Sequence, residues 1–160
     1  MTQSRLVNRA IAVSRFHPAP GHRAPAAGAV AGAAVVAVGL CLAIDWLLVR
    51  AGTAAFPGVR DYVHFRFSDY SKLTVIGIVI ASAAWPVVAR LTSQPSWVLA
   101  RLAVLVTAVL LLPDLYIWLT GQPGRAVLVL VAMHLAIGLV TCTALVRLAP
   151  VRLARDAAVT

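Results

Sequence analysis

The sequence predicts an all-α integral membrane protein, an up-down four-helix bundle with a basic N-terminal tail and one long outer loop. Three observations predict it. Of the 160 residues, 61% are hydrophobic and only 12% are charged, and the mean hydropathy is +0.91, far from the composition of a water-soluble domain. The apolar residues gather into four runs, each close to the roughly 20 residues that a helix needs to cross bilayer hydrocarbon. The basic residues flank those runs.

Residues 1–23 carry Arg5, Arg9, Arg15 and Arg23 with Pro18 and Pro20 and no sustained apolar period, which predicts a disordered or surface-lying tail. The transmembrane domain covers residues 24–149. Its first span, about 24–49, is apolar for about 21 residues before Asp45, too long for a signal-peptide core. It is expected to stay as an anchor, with cleavage near "AGTAA" as the alternative. Spans follow at about 71–89, 97–119 and 125–148, and residues 150–160 form a short C-terminal tail. "TSQPS" and "TGQPG" read as tight turns between antiparallel neighbours, which is what makes the bundle up-down.

Lysine and arginine set the expected orientation. With both termini in the cytoplasm, nine basic residues lie inside and five outside: Arg50, Arg60, Arg66, Lys72 and Arg125. The expected location is therefore a bacterial cytoplasmic membrane, crossed several times. The net charge of +9 does not suggest nucleic acid, because the cations are spread along the flanks and not gathered on one face. Membrane lipids and other membrane subunits are the expected partners.

The connection "RAGTAAFPGVRDYVHFRFSDYSK" is the one long loop. It alternates Tyr62, Phe65, Phe67 and Tyr70 with charges, a pattern that suits a loop lying at the headgroup layer. A partner-docking surface or a lid over the bundle is the alternative.

Polar residues inside the spans are the main functional clue, since a charge within hydrocarbon costs about 2.5–3.5 kcal/mol at the centre and is kept for a reason. Asp45 and Asp114 are expected about five and six residues from the outer ends of their spans, with His134 deeper. Lys72 and Arg125 are placed to act as counter-ions. The acids read first as structural ties, then as a proton or cation relay, or as a contact with another subunit. Gly28 and Gly32 form a G-x-x-x-G and Gly39 falls near the same line, a stripe suited to close helix packing within the bundle or against a partner.

No metal or cofactor is expected, because His134 is the only histidine within a span and bis-histidine haem needs two. Cys41 and Cys142 fall in opposite leaflets, which argues against a disulfide, and no C-x-x-C is present. There is no H-E-x-x-H, G-x-S-x-G or phosphate-binding glycine loop, so no catalytic residue is assigned and the chain reads as a non-enzyme.

"VLVTAVLLLPDL" and "VAMHLAIGLVTCTALVRLAP", with Pro113 and the Met133–His134 pair as their distinctive residues, resemble small four-span membrane proteins, common in actinobacteria, that are grouped as a domain of unknown function. The resemblance covers about residues 74–148. It implies an actinobacterial inner-membrane bundle and carries no activity. The expected function is an accessory or assembly subunit of a larger membrane complex. A small proton-coupled transporter using Asp114, Asp45 and His134 is the alternative, and a lipid- or quinone-binding protein with Trp46, Tyr62, Tyr116 and Trp118 as its aromatic belt is the third.

Overall fold

A computed structural model describes residues 22–60 and 62–153. The N-terminal tail up to residue 21, Asp61 and residues 154–160 lie outside the described residues. Four helices form the bundle: α1 (Ala27–Ala55), α2 (Phe67–Leu91), α3 (Pro95–Leu119) and α4 (Gly124–Leu148). All four are long and apolar enough to cross a membrane. The chain is a multi-pass membrane protein.

Two helices are longer than the apolar runs suggest. α1 continues through "RAGTAA" because three of its six residues are alanine, which favours helix, while the Thr53 hydroxyl is accommodated by donating back to the Val49 carbonyl at 2.9 Å. Pro57 then forbids continuation. α2 begins at Phe67, four residues before the expected start, with Asp69 in its first turn where a carboxylate suits the helix N-terminus. The loop between them therefore shrinks to residues 56–66, most of it two 3-10 turns, Pro57–Val59 and Val63–Phe65. At about 1.5 Å per residue, α1 is about 44 Å long and outreaches the roughly 30 Å of hydrocarbon.

The other turns are tight. α3 opens with Pro95 in its first turn, where the missing N–H costs nothing. It closes through Gly121, whose φ of 89° requires a residue without a Cβ, and through Gly121 N donating to the Trp118 carbonyl.

α1 packs on α2 and α4, and α3 packs mainly on α4. Residues before α1 and after α4 meet in a two-residue antiparallel ladder, β1 (His22–Arg23) with β2 (Arg152–Leu153), which puts both flanks at one end. That end is the terminal end below; the opposite one, with the 56–66 loop, is the loop end.

The core has three layers. At the loop end, Val59 and Phe65 from the loop join Tyr70, Ala126, Val129, Leu130 and Met133. Ala37, Cys41, Ile78 and Ala144 fill the middle. Ala33, Trp85, Val88, Leu99, Leu145 and Ala149 close the terminal end, where Trp85 Nε1 donates to the Ala149 carbonyl at 2.9 Å. Outside the core the surface is aliphatic on every helix, with Val35, Leu73, Val104 and Leu139 each more than 70% exposed, as lipid-facing side chains are.

Candidate functional site

Among the described residues, half of the six buried polar ones enter two interhelical pairs toward the loop end. Asp45, at 0% exposure, accepts a hydrogen bond at Oδ2 from Thr74 Oγ1 at 3.0 Å, joining α1 to α2. Asp114, 4% exposed, approaches His134 on α4, with Oδ2 3.0 Å from Nδ1. Helix polarity explains the second pair. Side chains lean toward the N-terminus of their helix, and α3 and α4 run in opposite directions, so Asp114 and His134 lean toward each other.

His134 Nδ1 also lies 3.0 Å from the Leu130 carbonyl one turn back. The single N–H is directed there, so Asp114 Oδ2 has an ion-pair distance but no directed hydrogen bond. The separation is short and the direction is shared. His134 is within electrostatic reach of both carboxylates, which makes the pairs neighbours. The expected descending series is thus two adjacent ties. Asp45 also lies ten positions before the end of α1, farther from it than expected, because that helix is longer than its apolar run.

Lys72 and Arg125 do not enter this cluster. Both are exposed, the Arg125 guanidinium lies 5.1 Å above the Phe56 ring, and among the described residues His134–Asp114 is the only ion pair. A lysine at the first turns of α2 is solvated at the helix end, where no burial forces it toward a carboxylate. The counter-ion assignment is corrected accordingly.

The loop folds back onto the bundle through part of its aromatic set. Phe65 and Tyr70 are buried, Tyr62 is half-buried, and Phe67 is exposed. Tyr62, Phe65 and His64 stack edge to face around Tyr62, with centroids 5.2 and 5.3 Å apart. Two buried apolar side chains, Val59 and Phe65, hold the segment against α4 as a plug. Asp114 acts electrostatically on Tyr62 and is itself acted on by His64, so the plug sits over the acid–histidine pair. Burial first, and the Asp114 charge second, push the Tyr62 phenol above its ordinary value.

The glycine stripe faces away from the bundle. A Cβ on Gly28, Gly32 or Gly39 would meet nothing within 4 Å, so packing among the four helices does not use them. Other glycines do that work. A Cβ at Gly52 would come 2.6 Å from Val129 Cγ2, and one at Gly138 would come 2.5 Å from Thr107 Oγ1. Sequence spacing could not reveal them, since neither belongs to a G-x-x-x-G; each marks one place where α4 is approached closely.

What the interior can do chemically is bounded by its terminal end. Thr141, Cys41 and Ser82 continue polar atoms inward, and Thr141 Oγ1 and Ser82 Oγ are buried without partners. Beyond them the Trp85, Leu99 and Leu145 layer is apolar and filled. Among the described residues no three His, Cys, Asp or Glu side chains converge as metal ligands would. A proton can be held between Asp114 and His134; toward the terminal end the buried Trp85 and Thr92 side chains are each bonded to a backbone carbonyl.

The loop end also carries an open cleft of about 770 Å³, lined by Arg50, Thr53, Arg60, Tyr62, Phe65 and Arg66 among others. Trp46, Tyr116 and Trp118 stand exposed on the helix surfaces toward the same end, where amphipathic rings mark a membrane interface.

The sequence matches no protein-family model, no curated protein and no solved structure.

Proposed function

We propose that this chain is a non-enzymatic subunit of a larger complex in the cytoplasmic membrane, docked through the outward face of α1. One observation carries the reading: Gly28, Gly32 and Gly39 line a face that no helix of the bundle covers. Small residues in a membrane helix permit close backbone approach, and in lipid that packing is a main source of helix association. The buried acids support the same reading, because each has a partner on a neighbouring helix and so serves the bundle's own cohesion. Both termini would lie in the cytoplasm, on the excess of lysine and arginine there.

The test is affinity purification of the tagged chain from its native membrane in mild detergent, with native sizing and mass spectrometry of associated proteins. A stoichiometric membrane partner is expected, and it should be lost from the Gly28→Ile, Gly32→Ile variant while insertion and melting stay unchanged. Recovery of the chain alone, or unchanged association in the variant, overturns the reading.

A proton-coupled carrier is the second reading, favoured by the contact of buried Asp114 with His134. It requires that Asp114→Asn abolish flux in vesicles at normal expression; equal flux removes it.

A further inference from the structure

The charge distribution leaves a question that the bundle does not answer. Five cations stand at the loop end, the end that orientation by lysine and arginine would keep poor in them, and three of these five line one cleft. The geometry points to that cleft, with Arg50, Arg60 and Arg66 on its wall, as a binding site for a phosphate-bearing anion, presented either by a phospholipid headgroup or free in solution.

The backbone builds the site by repetition. Each 3-10 turn buries its last residue, Val59 and then Phe65, and is followed at once by an arginine, Arg60 and then Arg66. The Arg60 and Arg66 amides close those turns on the Pro57 and Val63 carbonyls, so each arginine is carried by an anchored turn. Arg50 comes from the rigid α1, its guanidinium 5.3 Å above the Trp46 ring.

No aspartate or glutamate among the described residues lines the cleft, and none lies within ion-pair distance of the three guanidinium groups. Along the described lining the opposing field is that of the C-terminal end of α1, about half a negative charge, against three full positive ones. Arginine is the side chain suited to this task, since its planar fork meets phosphate oxygens in pairs. Tyr62 packs beside them in the lining with its phenol oxygen buried, and because its ionisation is raised it adds no negative charge there.

Depth fits a headgroup as well. α1 outreaches the hydrocarbon, and the cleft is lined by its last turns, Val49 to Ala54, beyond the exposed Trp46. A volume of about 770 Å³ admits a headgroup and leaves room for a soluble phosphate.

The test is native mass spectrometry of the full chain in detergent with phosphatidylglycerol or phosphatidylcholine, repeated with inorganic phosphate as competitor. Phosphatidylglycerol should bind at least about tenfold more tightly than phosphatidylcholine, and the Arg50→Gln, Arg60→Gln, Arg66→Gln variant should lose that preference. A variant with the same charge loss at the terminal end, Arg90→Gln, Arg101→Gln, Arg147→Gln, should keep it. If phosphate alone raises the melting temperature of the parent and displaces the lipid, the source is soluble; if the lipid binds and phosphate does not compete, the source is the headgroup.

Equal loss in the two triple variants overturns the site, as does the absence of any preference for phosphatidylglycerol together with no response to phosphate. Should the triple variant melt early, the single Arg60→Gln change at the exposed turn is read instead, and unchanged anion binding there and in Arg66→Gln overturns it equally.

Discussion

His134 Nδ1 stands 3.0 Å from Asp114 on the facing helix and 3.0 Å from the Leu130 carbonyl on its own, so one nitrogen answers to two acceptors. Removing the imidazole leaves a buried carboxylate facing apolar surroundings. Removing both members leaves nothing to satisfy. His134→Leu should therefore destabilise by about 2–3 kcal/mol, and the Asp114→Leu, His134→Leu double variant by less than His134→Leu alone. Thermal melting in detergent checks the order of the two; a double variant weaker than the single one would refute a paired acid.

Asp45 depends on one hydroxyl. Thr74→Val keeps the shape and removes the only donor to Oδ2, leaving both carboxylate oxygens without a protein partner. A loss of about 1–2 kcal/mol is expected, with Thr74→Ser close to the parent. Melting of the two variants side by side separates the hydroxyl from the methyl group.

Interior and exterior glycines should respond oppositely. Gly138→Val drives a branched side chain into Thr107 and should lower stability by about 1–3 kcal/mol, the range of overpacking. Gly32→Val meets open space and should melt with the parent. Equal effects would mean that α3 and α4 do not approach at Gly138.

Tyr62 gives a spectroscopic handle. In a chain with Tyr70→Phe and Tyr116→Phe, tyrosinate absorbance should appear above the ordinary range near pH 10, and Asp114→Asn should bring it back toward that range. The sign for stability follows: the folded chain holds the phenolic proton more tightly, so this contribution is complete below pH about 10 and is lost as pH rises through the higher folded value. An ordinary titration of Tyr62 in the parent would show that the plug does not cover it.

Four spans, their antiparallel order and the two short turns were legible from apolar run length and Gln-Pro punctuation, because bilayer thickness imposes one length on every crossing. Hydropathy was blind to helix beyond the hydrocarbon. "RAGTAA" and "FSDY" are polar enough to read as loop, yet they are helical, and the loop assigned to them is correspondingly short. Asp45, Asp114 and His134 stood out because ionisable groups are rare in spans, but the partner of Asp45 did not. Thr74 carries no charge, and its role comes from the register of α1 against α2, which no single-helix pattern encodes. The glycine motif left its direction open for a related reason: small-residue spacing says that a face can be approached and is silent about which neighbour approaches it. Gly52 and Gly138 were missed because a single glycine has no pattern to read.

The two-residue ladder between His22–Arg23 and Arg152–Leu153 makes the bundle a nearly closed ring of chain. Sequence order then matters less to the native shape than the cyclic order of the helices. A gene permuted to start at Gly124 and end at Pro123, with a short flexible bridge joining Leu153 to His22, should insert and fold to the same bundle. Because the number of crossings stays even, its new ends would share the loop end, turning the protein into a carrier that presents a fused tag on the face opposite to the His22–Leu153 pairing.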